Sequence, residues 1–140
     1  MLYRLIYVSE STPAFNSREV DALLNQSRRN NGLRDLTGML VFDSRCFLQV
    51  LEGDRAALTR LYNRIATDPR HTSLVILSME PIEQRLFGHW SMGYAAADAS
   101  RKSLYLRHGS SGSFEPQHMT SRAALALLRD FAALPEVVAG

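Results

Sequence analysis

The chain has 140 residues, which is a usual length for one domain, and its 46% hydrophobic content suits one packed core. Its formal net charge of only +2 argues against wholesale nucleic-acid binding, and its single cysteine, Cys46, excludes an internal disulfide and a cysteine-based metal cluster. No apolar run approaches ~20 residues and no signal-peptide pattern is present, so we expect a cytoplasmic protein without a membrane span.

The first part of the sequence predicts a strand followed by a helix. Leu2 to Ser9 is nearly continuously apolar, which is typical of a central strand. Helical spacing follows from Asn16 to Asn31, with Asn16 as the N-cap. Gly32 then suits the left-handed conformation that stops a helix. Asn31 lies on the side of this helix that should face the sheet.

The stretch from Thr37 to Gly53 predicts a hairpin of two apolar strands. In its turn, either Ser44 or Arg45 must take the strained conformation unless the loop is wider. Gln49 interrupts the second apolar strand, and a buried amide needs partners for both its donor and its acceptor atoms. We therefore expect Gln49 to be satisfied by the backbone or to face another polar group.

A second helix is predicted after the hairpin. Asp54 caps its start, and its apolar stripe runs to about Thr67. Arg64, Asp68 and His71 follow at spacings of four and three, so they would form one polar row if the helix continued. The alternative is a solvated edge with an Arg–Asp pair, which would contribute little to stability.

Two further strands are predicted next. Ser73 to Met79 is an apolar fourth strand, and His89 to Ala97 is a short fifth strand. Trp90, Met92 and Tyr94 alternate along the fifth strand. This alternation is consistent with a short strand.

The sequence changes character after Asp98, so we divide the chain into a domain of residues 1–97 and a C-terminal helical extension of residues 98–140. Within the extension, Thr120 to Leu134 predicts an amphipathic helix rich in Ala and Leu. Such a helix is not stable alone, so it should dock either on the bare face of the sheet or on a partner.

The order of these elements is β-α-β-β-α-β, followed by a fifth strand and the helical tail. This order predicts an α+β fold: a ferredoxin-like βαββαββ sandwich, in which a five-stranded sheet carries two helices on one face. The first and third strands are central neighbours in that topology. Tyr7 and Gln49 can therefore meet in the core beneath the two helices.

Motifs for several kinds of chemistry are absent from the sequence. It has no Walker loop, no GxGxxG, no HExxH and no metal-type spacing of its histidines. The polar side chains that should converge are Tyr7, Asn31 and Gln49, with Arg28, Arg64, Asp68 and His71 around the rim. A phenol, amides and cations suit a planar heterocycle with a phosphate tail and do not suit acid–base hydrolysis. We therefore do not expect an enzyme.

Six motifs in register make the chain similar to the BLUF family of flavin-based blue-light sensors. They are Tyr7 within LIYVS, Asn30-Asn31, TGML, FLQVLEG, DPRH from Asp68 to His71, and RLFGHWSMGY from Arg85 to Tyr94. The resemblance covers about residues 2 to 97. It implies non-covalent binding of FAD, or of FMN or riboflavin in its place. The cofactor-binding residues that it implies are Tyr7, Arg28, Asn30, Asn31, Gln49, Arg64, Asp68 and His71.

The resemblance also implies a light-driven mechanism. After excitation Tyr7 would give an electron and a proton to the flavin, and Gln49 would rearrange by rotation or tautomerisation before the pair recombines. The product would be a red-shifted signalling state that decays in darkness. Trp90 and Met92 would relay the signal, and either one could be the residue beside the flavin.

The short tail makes the chain resemble family members that lack an attached output domain. We therefore expect a homo-oligomer that regulates a separate effector, such as a cyclic-di-GMP enzyme or a transcriptional regulator. The apolar face of Thr120 to Leu134 and the Trp90 strand are the candidate contacts. The alternative function is a light-independent ferredoxin-like module that binds a ligand or acts as a small hydrolase.

Overall fold

Five strands and four α-helices form the fold in a computed structural model that describes residues 1–13, 15–135, 137, 138 and 140. The strands are β1 (Leu2–Ser11), β2 (Thr37–Phe42), β3 (Cys46–Asp54), β4 (His71–Pro81) and β5 (Gly93–Ala96). The helices are α1 (Val20–Leu33), α2 (Arg55–Ala66), α3 (Lys102–His108) and α4 (Ser121–Ala132).

The strands form one mixed sheet in the order β4-β1-β3-β2-β5. Strand β1 is antiparallel to both β3 and β4, whereas β5 is parallel to β2. The register of β1 and β3 places Tyr7 directly opposite Gln49. The predicted ferredoxin-like class and the central position of these two strands are therefore confirmed.

Helices cover both faces of the sheet. Helices α1 and α2 pack on one face, where Leu24 and Leu58 meet Phe47 and Leu51 of β3. Helices α3 and α4 contribute to the apolar layer on the other face, which includes Leu48 of β3. Strands β2 and β3 are thus buried from both sides, which explains why their sequences are almost continuously apolar.

The amphipathic helix α4 docks on the sheet of its own chain. The residues of its inner face are at most 1% exposed; they are Ala124, Leu127, Leu128 and Phe131. Of the two docking sites expected for this helix, α4 occupies the bare face of the sheet. The prediction that this apolar face contacts a partner is wrong, because the face is already covered. The division of the chain after residue 97 stays a prediction.

The end of α1 differs from the prediction. The helix continues through Gly32 to Leu33, and the left-handed residue beyond it is Asp35, with φ of 54°. Aspartate is one of the few residues besides glycine that adopt this conformation. The backbone N–H of Leu36 then returns to the carbonyl of Asn31 at 2.9 Å, which closes the helix end.

Helix α2 ends before it could bring Arg64, Asp68 and His71 into one polar row. Its last residue is Ala66, so Arg64 lies in the last turn while Asp68 follows the helix and His71 begins β4. Proline disfavours helical backbone at the residue before it, and Pro69 has this effect on Asp68. The helix thus ends close to the predicted end at about Thr67, and the condition for a single helical row of Arg64, Asp68 and His71 is not met.

The hairpin turn between β2 and β3 has the strained residue that the sequence required. Ser44 takes the left-handed conformation, with φ of 79°. The side chain of Asp43 supports the turn, because its Oδ1 accepts from the N–H of Arg45 at 2.9 Å and of Cys46 at 2.8 Å. The turn is thereby fixed in length and register.

Strand β5 is shorter than predicted, because it begins at Gly93 and not at His89. The segment before it, residues 84–92, is irregular and is held by a buried carboxylate instead of a strand ladder. Glu52 of β3 is fully buried and accepts hydrogen bonds from the backbone N–H groups of Leu86 at 3.0 Å and Phe87 at 2.9 Å. Hydrophobic alternation cannot reveal an anchor of this kind.

Candidate functional site

A cleft of about 140 Å³ lies between α1, α2 and the sheet. Its apolar walls are Leu23, Leu40, Phe47, Leu61, Ile65 and Met92. Its polar lining residues are Tyr7, Gln26, Ser27, Asn30, Asn31, Gln49, Arg64, Asp68, Arg70 and His71. Apolar walls with a few convergent polar groups are typical of small-molecule sites.

A buried chain of contacts runs from Tyr7 through Gln49 to Met92. The Tyr7 phenol donates to Oε1 of Gln49, and Nε2 of Gln49 lies 3.3 Å from the sulfur of Met92. Because Tyr7 and Gln49 are direct partners across β1 and β3, their side chains lie on the same face of the sheet. A thioether is a weak acceptor, so the amide N–H₂ of Gln49 keeps the capacity to bind a stronger one.

The Tyr7 phenol is held neutral by its surroundings. Burial raises its pKa well above the usual range, and the neighbouring Tyr62 and Asp68 raise the pKa further. The rings of Tyr7 and Tyr62 meet edge to face, with centroids 5.6 Å apart. Tyr7 is therefore a hydrogen-bond donor in the ground state.

Asn31 joins α1 to the segment before β5. Its side chain is 2% exposed, and its Nδ2 donates to the carbonyl of Ser91 at 2.7 Å. Its Oδ1 accepts no hydrogen bond from the described part of the chain, so this atom remains available to a ligand in the cleft. Asn30 also lines the cleft.

An ion pair and an imidazole occupy the rim. Asp68 accepts from Arg70 at both carboxylate oxygens, and this hydrogen bonding lowers the pKa of Asp68. His71 lies against the ring of Phe47, with centroids 4.4 Å apart, and its Nδ1 is 3.0 Å from Oγ of Ser9. Burial lowers the pKa of His71, which favours the neutral form of its ring.

Arg28 is the one predicted cofactor residue that is not part of the cleft lining in the described structure. Its Nε donates to the backbone carbonyl of Met92 at 3.0 Å, and its terminal nitrogen is 3.5 Å from the carbonyl of Val138. Arg28 therefore contacts the backbone of Met92, which itself lines the cleft. Its role toward a cofactor stays a prediction.

Met92 and Trp90 lie on opposite faces of the sheet. Met92 is 1% exposed and belongs to the apolar layer under α1 and α2, whereas Trp90 packs against the layer that includes α4. Gly93 accommodates the indole, because a Cβ at that position would lie 2.5 Å from Cε3 of Trp90. The sequence left both residues as candidates for the site, and Met92 is the one beside Gln49 in this structure.

Sequence reasoning missed three polar residues of the lining. Gln26 and Ser27 lie on α1 four positions before Asn30 and Asn31, so helical spacing from the two asparagines could have found them. Arg70 lies within the DPRH motif but was not singled out.

No group of acidic, His and Cys side chains in the described residues could hold a metal ion. No described helix is long and apolar enough to cross a membrane.

Comparison with known families identifies the class of protein to which this fold and cleft belong. Residues 2–93 match the family model described as BLUF, sensors of blue-light using FAD. The chain therefore belongs to the BLUF family, as the six motifs indicated. By its description, the family consists of sensors of blue light that use the flavin FAD.

Three similar proteins illustrate the range of the family. The photoactivated adenylate cyclase subunit beta of Euglena longa is 33% identical over 98 residues, which are 69% of this chain and 11% of that protein. This chain therefore spans about a tenth of that relative's length. The photo-activated state of BlsA superposes with a TM-score of 0.87 at 25% identity and covers 96% of both chains. Klebsiella pneumoniae BlrP1 with FMN and cyclic diGMP has a TM-score of 0.64 at 35% identity, covering 71% of this chain and 26% of that one.

Proposed function

We propose that the chain is a blue-light photoreceptor that binds a flavin non-covalently in the cleft and uses Tyr7 and Gln49 as its photochemical pair. The observation that carries this proposal is the buried hydrogen bond from Tyr7 to Gln49 at a cleft of a BLUF-family chain. FAD is the flavin in the family description, and FMN occurs in the BlrP1 structure. FMN or riboflavin would present the same ring to these residues.

The side chains at the cleft fit a flavin. A flavin ring carries carbonyl acceptors, ring nitrogens and an N–H donor along its edges, and its two faces are apolar. The open acceptor of Asn31 and the weakly paired donor of Gln49 suit such edges, and Leu40 and Ile65 suit the faces. Asn30, Arg64, Asp68 and His71 would contact the rim of the ring or the ribityl-phosphate side.

Tyr7 would act as the electron and proton donor. A bound flavin would absorb the blue light and accept the electron and proton, which return to Tyr7 when the pair recombines. Because burial raises the pKa of Tyr7, the phenol keeps its proton in darkness and would release it only together with the electron.

A rearranged Gln49 side chain would be the lasting structural result of the light reaction. Its amide has a distinct acceptor end, toward Tyr7, and a distinct donor end, toward Met92. Rotation or tautomerisation during the transfer would invert this buried hydrogen-bond pattern. A changed hydrogen bond at the flavin carbonyl would give the red-shifted state. Met92 and then Trp90 would pass the change to the rest of the protein.

The test is the visible spectrum of the protein loaded with FAD. Blue light should shift the flavin bands to the red, and darkness should reverse the shift. Tyr7→Phe and Gln49→Leu should each keep the flavin and lose the shift. Tyr62→Phe is the matched control, since it alters the neighbouring phenol, and it should keep both. Protein that stays colourless after loading refutes the proposal, and a normal photocycle in both variants refutes the assigned pair.

We also propose that the signalling state regulates a separate effector in the cytoplasm and that the chain forms a homo-oligomer. Support comes from relatives associated with nucleotide messengers: one is named a photoactivated adenylate cyclase, and BlrP1 is described with cyclic diGMP. A cyclic-di-GMP enzyme and a transcriptional regulator are the candidate effectors. A pull-down in darkness and light tests this, and equal capture in both contradicts it. Size-exclusion chromatography with light scattering tests the oligomer.

A further inference from the structure

The backbone at Met92 is held from outside the sheet by the C-terminal residues. The N–H of Met92 donates to the carbonyl of Gly140 at 3.2 Å. Two residues later, Tyr94 and Val138 exchange a pair of hydrogen bonds of 3.0 and 2.8 Å, as antiparallel strands do. Val138 and Gly140 therefore add a short row of strand-like pairing to the free edge of β5.

Arg28 connects this pairing to α1. Its guanidinium donates to the carbonyl of Met92 at 3.0 Å and lies 3.5 Å from the carbonyl of Val138. A guanidinium suits this position, because its planar fork can reach two acceptors at once. Asn31, one turn later on α1, holds the preceding carbonyl, that of Ser91, at 2.7 Å.

Three separate groups of Met92 are thus engaged at the same time. Its sulfur faces Gln49, its N–H binds Gly140, and its carbonyl binds Arg28. Met92 precedes β5, so it lacks the strand ladder that would otherwise fix its backbone. A backbone displacement that carries the sulfur away from Gln49 would also strain the contacts with Arg28 and Gly140.

The pairing at Val138 lies at an exposed position on the edge of the sheet. Val138 is 49% exposed and is held mainly by its hydrogen bonds with Tyr94, whereas the neighbouring Val137 packs against the apolar layer that includes α4. Segments with little apolar burial open at low free-energy cost.

We propose that Arg28 is a positioning residue for the switch, which holds Met92 against Gln49, and that the pairing of Val138 and Gly140 with Met92 and Tyr94 opens in light. The light-dependent half rests on the proposed photochemistry. The other half, in which Arg28 holds the backbone of Met92 in darkness (the clamp), rests on the contacts alone.

Amide hydrogen exchange of the full FAD-loaded chain tests the clamp in darkness. Arg28→Ala should raise the exchange rates of the Met92 and Val138 amides about tenfold, which corresponds to about 1.4 kcal/mol and is a typical net hydrogen-bond contribution. Arg29→Ala is the matched control, because Arg29 is the exposed neighbour on the same helix, and it should change both rates less than twofold. Arg28→Lys should fall between the two, since a lysine is a point charge without the fork. Unchanged exchange at Met92 in Arg28→Ala overturns the clamp.

Exchange under continuous blue light tests the opening. Light should raise the Met92 and Val138 rates of the unaltered protein about tenfold and leave the buried Leu127 unchanged. Val138→Pro, which removes the N–H that binds Tyr94, should abolish the light-minus-dark difference at Met92 yet keep the red shift, whereas Val138→Ala should keep both. A protein that shows the red shift with no change at these amides overturns the opening. A protein with no red shift overturns the proposed photochemistry and with it the opening, while the dark comparison still decides the clamp.

Discussion

Replacing Glu52 by glutamine should cost about 3 kcal/mol of unfolding free energy. Glu52 is fully buried on β3, directly opposite Arg4 of β1. Its carboxylate accepts from Nε of Arg4 at 2.9 Å and from two backbone N–H groups, those of Leu86 and Phe87. One carboxylate therefore neutralises a buried cation and anchors the loop that leads to Trp90.

The size of the loss follows from what glutamine leaves unpaired. Removing one partner of a buried ion pair costs about 3 to 5 kcal/mol, because the remaining charge stays buried without compensation. The side chain of Arg4 is only 12% exposed, so its guanidinium regains little hydration. Glutamine keeps one acceptor oxygen for the loop but turns an N–H₂ group toward the other donors. The expected loss therefore lies at the lower end of the range.

Chemical denaturation followed by circular dichroism measures this loss. Glu80→Gln is the matched control, since Glu80 lies opposite Arg4 in the register of β1 and β4 but is exposed, and its effect should stay within about 0.5 kcal/mol. A loss below about 1 kcal/mol for Glu52→Gln, or equal losses for the two variants, would show that the buried pair is not the main contributor.

Other predictions concern pH and the backbone. Burial lowers the pKa of His71 below its ordinary value of 6.5, so the unfolded chain binds this proton more readily. Unfolding free energy should therefore fall as the pH drops below 6.5, and His71→Gln should weaken that fall in denaturation series at several pH values; an equally steep fall in the variant contradicts the assignment. Ser44→Gly should add about 0.5 to 1 kcal/mol, because glycine takes a φ of 79° without strain, and an unchanged or lower midpoint in denaturant speaks against it. Gly32→Ala should stabilise α1 by about 0.5 to 1 kcal/mol, since the nearest atom to the new Cβ is 3.9 Å away. Gly38→Ala should destabilise by at least ~1 to 3 kcal/mol, since its Cβ would lie 2.1 Å from the carbonyl oxygen of Val50, and thermal melts of the two variants that shift in the same direction contradict this packing.

The Tyr7–Gln49 pair could be predicted because two independent rules agree on it. Hydrophobic pattern located both strands, and the order of elements made those strands central neighbours. These rules did not determine the register of β1 against β3. The two polar groups, however, needed each other as partners in an apolar core, and the observed register pairs them. The amphipathic helix α4 was also found by its spacing, but spacing does not say which surface covers it.

The contacts around Met92 could not be predicted, for a different reason. Alternation along residues 89–97 suggests a strand but does not tell which face is inside, and the regular strand begins only at Gly93. Arg28 reaches backbone carbonyls that lie 64 and 110 residues further along the chain. A backbone carbonyl carries no sequence signature, so only the fold reveals that α1, Met92 and Val138 share one guanidinium.

The tight turn at Ser44 has a consequence for how this protein can vary. Side chains along a strand alternate between faces, so moving β3 by one residue against β1 would turn Gln49 toward α4. Leu48 or Val50 would then lie opposite Tyr7. An insertion or deletion of one residue in the hairpin changes the register of β3 against β2, and if β3 moved against β1 as well, the phenol and the amide would be separated. The length of the three-residue loop at Ser44 therefore helps to keep the two proposed photochemical partners on the same face of the sheet.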